Sequence, residues 1–473
     1  MNFKFSSFEN PNVIISTYYE KEGIIEGFFD GKEAEMFFLP NINKNEPSKL
    51  YFGLGKAEDI TANKLRNSFA KLFKRIEDLK GDNILLEKIE IKTISEEEFF
   101  KSLAEGFLLT NYKFDKYKSK EEKEDKKDKK EEKTIYIDGF KISNKQDIFK
   151  SIENIANAIN NARDMIAEPS NVLYPEELAD RAVSIAEESG FEIEVLKKDE
   201  IKELGMTAFL TVGKGTKHKP RLIVMTYKNN PESDEFIGLV GKGLTCDTGG
   251  YSIKSHEGLK YMKTDMSGAA YVIAIMSALA KNKCKVNVKA VVATCENVVD
   301  GNTYKPGDIV KSMKGKTIEV LNTDAEGRLT LADALHYIIS KQKVSKVIDM
   351  ATLTGLAGST FGSLYTPIFS NNEEFFEKFM ETAKETGEDF WRMPLDERYR
   401  SYIDSDIADI KNTGSAGTIT ASMFLKEFVD ETPWIHLDIA ATAVQWPVVY
   451  EYSSKGASGV TVRTIYELIN KGV

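Results

Sequence analysis

The chain has 473 residues, more than one ordinary hydrophobic core holds, so two domains are expected. Hydrophobic residues make up 41% and charged residues 29%, the profile of a soluble globular protein, and a formal net charge of −10 argues against nucleic acid or an anionic membrane surface as a partner. Three scattered cysteines, Cys246, Cys284 and Cys295, exclude a disulfide framework and suit reduced thiols in a cytoplasmic protein.

In chain order, the first residues carry no basic flank followed by an apolar run, so no signal peptide is expected. Residues 1–150 alternate strand-like and helix-like runs: a strand end at 51–55, a helix over 63–76, a strand over 84–92, a helix over 97–109 and a strand over 134–138. They form a smaller N-terminal α/β domain. Within it every residue of 120–133 is charged, seven Lys against seven Asp or Glu, which predicts a solvated loop or a helix extension with i,i+4 pairs. A nucleic-acid patch would need a positive excess.

Residues 151–473 form the second, larger domain. A helix over 147–167 leads into it and ends at Glu168-Pro169, because the residue before proline avoids helical dihedrals. Strands over 221–227, 236–240, 286–294, 347–350 and 434–440 alternate with helices after Ser267 and after Leu329. The apolar run 269–280 is too short to span a bilayer and reads as a buried helix. Continuous Val/Ile strands separated by helices predict an α/β fold with a mixed, mostly parallel sheet covered on both faces. In such sheets ligands bind beyond the carboxyl ends of the strands.

Three short segments carry the chemistry: Lys242-Gly-Leu-Thr-Cys-Asp247, Met262-Lys-Thr-Asp265 and Asn322-Thr-Asp-Ala-Glu-Gly-Arg328. Their acids Asp247, Asp265, Asp324 and Glu326 stand in glycine-rich turns beside two lysines and an arginine, a setting for divalent cations. With no His or Cys at ligand spacing, a structural zinc finger is excluded. The pattern reads as an all-oxygen site for two metals, with one lysine nitrogen as an extra ligand. The plainer alternatives are an acidic first helical turn at 324–326 and capping acids elsewhere. Asp324, Glu326 and Arg328, spaced by two, would point the same way in extended backbone, and Gly327 with the helix-like run from Leu329 suggests an extended turn feeding a helix. Lys242 suits either an ion pair or a neutral amine on a dication. Lys254 suits a fixed cation facing a substrate oxygen. Gly241-Lys-Gly243 lacks the third glycine of a dinucleotide fingerprint, since that position is Cys246. No histidine neighbours Cys246, and the four histidines are scattered and read as structural.

The octapeptide Asn322-Thr-Asp-Ala-Glu-Gly-Arg-Leu329 resembles the signature of the M17 leucyl aminopeptidases, the cytosol aminopeptidase family. Residues 240–254 resemble the family's first metal segment and residues 262–270 its second. Further matches are Glu168-Pro-Ser-Asn171, Ala351-Thr-Leu-Thr-Gly355, Asn412-Thr-Gly414 and His436-Leu-Asp-Ile-Ala440.

The resemblance implies a hydrolase that releases N-terminal, leucine-like residues from peptides with a free N-terminus, using water activated by two metals. It implies two divalent ions per subunit, Mn or Zn with Mg or Co as alternatives. One would be held by Lys242, Asp247, Asp265 and Glu326, the other by Asp247, Asp324 and Glu326. Lys254 and Arg328 take the catalytic positions, the arginine holding a bicarbonate. Met262, Thr352 and Leu353 would contact the substrate, and the assembly would be a homohexamer. Cys246, Thr248 and Ser255 depart from the residues usual in the family and bear on pocket shape and metal preference. The rival readings are a two-metal phosphoesterase and a non-catalytic regulator.

Overall fold

The apolar runs of the first 150 residues pair into a six-stranded sheet in the computed structural model, which describes every residue except 42, 44, 45, 88, 120–131 and 446. Its strands are β1 (Asn2–Lys4), β2 (Val13–Tyr19), β3 (Met36–Leu39), β4 (Ser48–Gly55), β5 (Asn83–Leu86) and β6 (Thr134–Ile137), in the order β1-β6-β5-β2-β4-β3. All neighbours are parallel except β3 and β4. The helices Ala62–Asp78 and Glu96–Thr110 start at Thr61 and Ser95, whose hydroxyls accept from Lys64 N and Glu98 N, as N-caps should. They bury Phe69, Phe73, Phe99, Phe100 and Phe107 in one core with Ile15, Phe52, Ile84 and Ile135 of the sheet.

Two expectations change here. The strand over 84–92 stops at Leu86, because its partner β6 ends at Ile137 opposite that residue and alternation alone cannot extend a strand past its neighbours. The charged run lies outside the described residues over 120–131. Its end, Lys133, is buried rather than solvated, and its ammonium donates to the carbonyls of Ile76 (2.8 Å) and Glu77 (3.3 Å). The last carbonyls of a helix have no partner within the helix, and a cation answers both their hydrogen-bond need and the helix dipole.

The chain divides into two compact units: Met1–Ala156 with Tyr450–Ser454, and Asn157–Val449 with Lys455–Val473. The division falls inside the helix Lys145–Ala167, where composition gives no signal.

The larger unit is built on eight strands: β7 (Glu192–Leu196), β8 (Arg221–Lys228), β9 (Ile237–Asp247), β10 (Asn287–Asn297), β13 (Lys346–Ala351), β14 (Thr366–Ser370), β15 (Phe390–Arg392) and β17 (Trp434–Asp438). Three short strands, β11 (Ile309–Lys311), β12 (Thr317–Glu319) and β16 (Ile410–Lys411), make a separate small sheet. The large sheet runs β15-β14-β17-β13-β9-β10-β8-β7. Its centre, β17-β13-β9-β10, is parallel, while β14 on β17 and β8 on β10 are antiparallel.

Both faces are covered. The helix Ser267–Lys281 is buried on all sides except at Lys281, which explains its uniformly apolar sequence. It packs close to β9: a Cβ on Gly241 would stand 2.6 Å from the Gly268 carbonyl, so a glycine is required there. On the other face Val240 and Leu244 join a core with Leu329, Leu331 and Leu335 of the helix Gly327–Ser340 and Phe424 and Phe428 beyond it. Ser267 opens its helix as the first turn's residue rather than as the cap, its hydroxyl donating to Thr264 O (2.6 Å).

Candidate metal centre

Four neighbouring parallel strands, β9, β10, β13 and β17, end at Asp247, Asn297, Ala351 and Asp438, so the site forms along one carboxyl edge of the sheet. Lys242 and Asp247 both lie within β9, five residues apart, a spacing that puts side chains on opposite faces of a regular strand. A bulge resolves this. Leu244 pairs with Cys295 and Cys246 with Glu296, so Thr245 is an extra residue and the alternation shifts by one. Lys242, Leu244 and Asp247 then share a face, and Cys246 turns to the other.

Asp265 follows the short turn Met262–Thr264, which is tied down by Lys263 donating to Ala167 O. Glu326 is the residue before the helix Gly327–Ser340 and has helical dihedrals (φ −78°, ψ −35°). The segment is a turn feeding a helix, as Gly327 and the run after it suggest, so Asp324, Glu326 and Arg328 do not lie along one face of a continuous extended strand. A Cβ on Gly327 would fall 2.4 Å from Lys242 Cε, so this position gives way to the lysine stem.

Two lysine–carboxylate groups result. Lys242 Nζ lies 2.8 Å from Asp265 Oδ1 and 2.9 Å from Glu326 Oε1, and it donates to Thr352 O at 2.9 Å. Lys254 Nζ lies 2.7 Å from Asp247 Oδ2 and also pairs with Asp324. Ligand oxygens of Asp247, Asp265 and Glu326 come within 4.8 Å of one another, a spacing that admits one ion among the three buried acids. Asp324, half-buried, sits beside Lys254 outside that trio. Arg328 is buried, and its Nε has no hydrogen-bond partner among the described residues.

The electrostatics follow from crowding acids in a dry place. Burial, with the charge of Asp247 beside it, pushes Glu326 up to about 8, and burial pushes Asp265 up to about 6 against the pull of Lys242. Asp324 is raised by burial and by Asp247. Burial opposes the charge on both lysines, but the carboxylates outweigh it and both are held above the usual lysine range. Burial brings Arg328 down to about 10, still protonated at neutral pH. Four carboxylates are thus met by two ammonium groups. Asp265 Oδ2 and Glu326 Oε2 are buried with no hydrogen-bond partner among the described residues. Oxygens left bare in that way suit a divalent cation.

Met262 and Leu353 are half-buried nearby in sequence to these groups, and Thr352 offers its carbonyl to Lys242 and its hydroxyl to Asp265 Oδ1 (2.7 Å). The N–H groups of Leu353 and Thr354 are already taken by Asp438 Oδ1, at 3.2 and 3.3 Å. Asp438, which the sequence offers only within a matching motif, fixes this strand end. Asn412, likewise only part of a motif, clamps the octapeptide turn: its Oδ1 accepts from Leu321 N and its Nδ2 donates to Asn322 O. Asn297, which no motif singled out, donates to Asp247 Oδ1 at 2.8 Å. Its only signal is its place at the end of a strand beside the one carrying Asp247. Of the four histidines, His436 is buried with Nδ1 2.6 Å from Asp349 Oδ1.

Comparison with known proteins gives concordant matches. The family model for the catalytic domain of the cytosol aminopeptidase family matches residues 160–466, and the model for that family's N-terminal domain matches residues 16–121. A probable cytosol aminopeptidase of Clostridium perfringens (strain 13 / Type A) is 45% identical over 457 residues, 94% of this chain and 90% of that protein. One from Clostridium tetani (strain Massachusetts / E88) is 41% identical over 464 residues, covering 97% and 94%. Among solved structures, the bottromycin maturation enzyme BotP in complex with Mn superposes with a TM-score of 0.88 at 29% identity, over 97% of this chain and 99% of that one. With both domains and nearly the whole length matched, the chain belongs to the cytosol aminopeptidase family, a family of metal-dependent aminopeptidases.

Proposed function

We propose that this chain is an exopeptidase that removes N-terminal residues, leucine-like ones preferred, from peptides with a free α-amine, using two divalent ions. The observation that carries the reading is the buried trio Asp247, Asp265 and Glu326, with bare oxygens on two of its members. One ion would be held by Lys242, Asp247, Asp265 and Glu326, and the other by Asp247, Asp324 and Glu326. Bound there, divalent ions supply Lewis acidity toward the scissile carbonyl and toward water. Mn or Zn is the proposed metal, with Mg or Co as alternatives; the Mn complex of the similar bottromycin enzyme supports Mn.

The chain's own groups supply the rest. Asp265 marks the end of the cluster that receives the substrate's α-amine, which is why a free N-terminus is required. Lys254 shares its two carboxylates with the second ion site, so loading that site frees its ammonium to meet the carbonyl oxygen as negative charge develops. All four acids are committed to cations, and Arg328 cannot accept a proton near neutral pH. Its unpartnered guanidinium edge instead suits a planar anion, and Arg328 would hold a bicarbonate there, which would supply a proton acceptor. Met262 and Leu353 line the place of the first side chain, and the carbonyl of Thr352 is fixed by Lys242.

We assign peptide hydrolysis to residues 151–473, with 1–150 as an accessory domain. We also propose a homohexamer working in the cytoplasm. Exposed Leu356, Leu364, Tyr365 and Trp391 in the larger unit support burial against other copies, and three free thiols support a reducing compartment. The test is hydrolysis of an aminoacyl-anilide panel by metal-stripped protein reloaded with Mn, Zn, Co or Mg. Metal-restored cleavage of the leucyl substrate and none of its N-acetyl form is expected. Efficient cleavage of the N-acetyl form, or of phosphate esters instead, would overturn the reading.

A further inference from the structure

We propose that Asn297 is a positioning residue that presents Asp247 to the cations through one oxygen only and fixes the distance between Asp247 and Asp324. Asn297 ends β10 level with Asp247, which ends β9, and is wholly buried. Its carboxamide nitrogen has two protons and both are used: one goes to Asp247 Oδ1 at 2.8 Å, the other to the carbonyl of Thr323 at 2.9 Å. Asp247 Oδ1 also accepts from Gly249 N at 2.9 Å, so its two lone pairs are filled. That leaves Oδ2, the oxygen that meets Lys254, as the one turned to the site.

The orientation of the amide follows from the same network. Flipped, its oxygen would face a carboxylate oxygen and a carbonyl oxygen, so the nitrogen must point this way. The cost falls on the other atom: Asn297 Oδ1 is buried with no partner among the described residues. An unmet buried acceptor is unfavourable by itself, so the position has a use for the two donors that outweighs it. No other short side chain offers the same pair. Aspartate has no proton to give when ionised, and serine has one.

Thr323 immediately precedes Asp324, and Asp247 and Asp324 are the two acids that share Lys254. The carboxamide therefore joins both sides of one half of the centre. It does not touch Asp265 or the Lys242 group. Resting on the two-ion reading above, in which Asp247 would contact both ions, the inference is that Asn297 acts most on the ion of the Asp247–Asp324 side, where it holds both flanking segments, and less on the ion that Lys242, Asp265 and Glu326 would also hold.

The test is calorimetric titration of metal-stripped protein with Mn alone. Asn297→Ala should weaken one of two sites by about 10–100-fold, the scale for partners that orient a metal's ligands, with the other site weakened less. With Mn-loaded protein kcat should fall while KM for leucyl-anilide holds. Tyr304→Phe is the control, because Tyr304 Oη also donates to Thr323 O (2.9 Å) without reaching Asp247. It should leave both Mn sites as in the wild type. If Asn297→Ala does not fold, Asn297→Ser keeps one donor and should weaken the same site to a smaller degree. Wild-type affinity at both sites in whichever variant folds, or an equal loss in Tyr304→Phe, would overturn the proposal. A wild type that binds no Mn would instead overturn the proposed function, a result that is distinct from either.

Discussion

Glu326 and Asp333 stand at two points of one helix end and body, seven residues apart, and both are acids buried from water. Burial raises both, Glu326 to about 8 and Asp333 to about 7. Their partners differ. Asp333 accepts the backbone N–H of Met313 on Oδ1 (2.7 Å) and of Phe209 on Oδ2 (2.9 Å), so both oxygens are used inside the fold. Glu326 meets Lys242 with one oxygen and nothing with the other among the described residues. A buried acid whose hydrogen bonds are complete is a fastening for the chain. One left bare beside other acids is poised for a ligand. Burial and a raised pKa do not separate the two cases; the inventory of partners does.

The comparison is broken most forcefully at Glu326. Glu326→Gln keeps the shape and removes the charge, so activity should drop by roughly 10³ or more, beyond the loss of a single charge-stabilising donor, while the melting temperature holds or rises. Thermal melts and anilide assays on the same preparation check this; normal turnover with unchanged metal content would refute the ligand assignment. The lysines sharpen the functional side. Lys254→Ala should cut kcat by about 10²–10³ and keep its metal, as expected for loss of a cation that acts on the developing oxyanion. Lys242→Ala should lose one ion per chain by elemental analysis, and the reverse outcome would exchange the two roles.

Arg328→Ala should lower the rate by about 10², the low end for a positioned proton acceptor. Bicarbonate added to carbonate-depleted buffer should stimulate the wild type and leave the variant flat. Equal stimulation of both would send the proton elsewhere. On the structural side, Asp333→Ala should leave metal content and kcat near normal but cost about 1–3 kcal/mol for each buried N–H it strands, read as a shift in denaturant midpoint.

The smallest effect is a slope with pH. Asp333 is raised in the folded chain, so its protonated form is favoured there. Its contribution to stability is full below the unfolded carboxylate range near pH 4 and is lost as pH rises toward about 7. Asp333→Asn should therefore show a flatter stability profile than the wild type between about pH 4 and 7. Identical slopes would mean that Asp333 is ionised in the fold throughout.

Local pattern and long-range arrangement are written into the chain to different degrees. The helices over 63–76, 97–109 and 147–167 and the strands 221–227 and 347–350 were legible because their periodicity is local and each buries a face that its own residues define. The side chains proposed to carry chemistry stand out in the sequence by residue type and motif. Their arrangement does not. The bulge at Thr245 depends on where β10 pairs with β9, and without it Lys242 and Asp247 would be assigned to opposite faces. The residue at which the turn at 324–326 gives way to the helix depends on where that helix begins to pack on β9 and β10.

By itself, then, the sequence determined the two α/β domains and the uniformly buried helix after Ser267, and it singled out the acids, lysines and arginine proposed to carry chemistry, because composition and short-range pattern are properties of the chain alone. Tertiary structure alone decided which acid pairs with which lysine, that Lys133 is buried on a helix end, and that Asp438, Asn412 and Asn297 hold the site from behind. Those partners are 50 to 91 residues from what they hold: Asn297 from Asp247, Leu353 from Asp438, Asn412 from Leu321. A hydrogen bond over that separation leaves no periodic trace in the sequence, since its two ends are brought together only by the closing of the sheet edge between them.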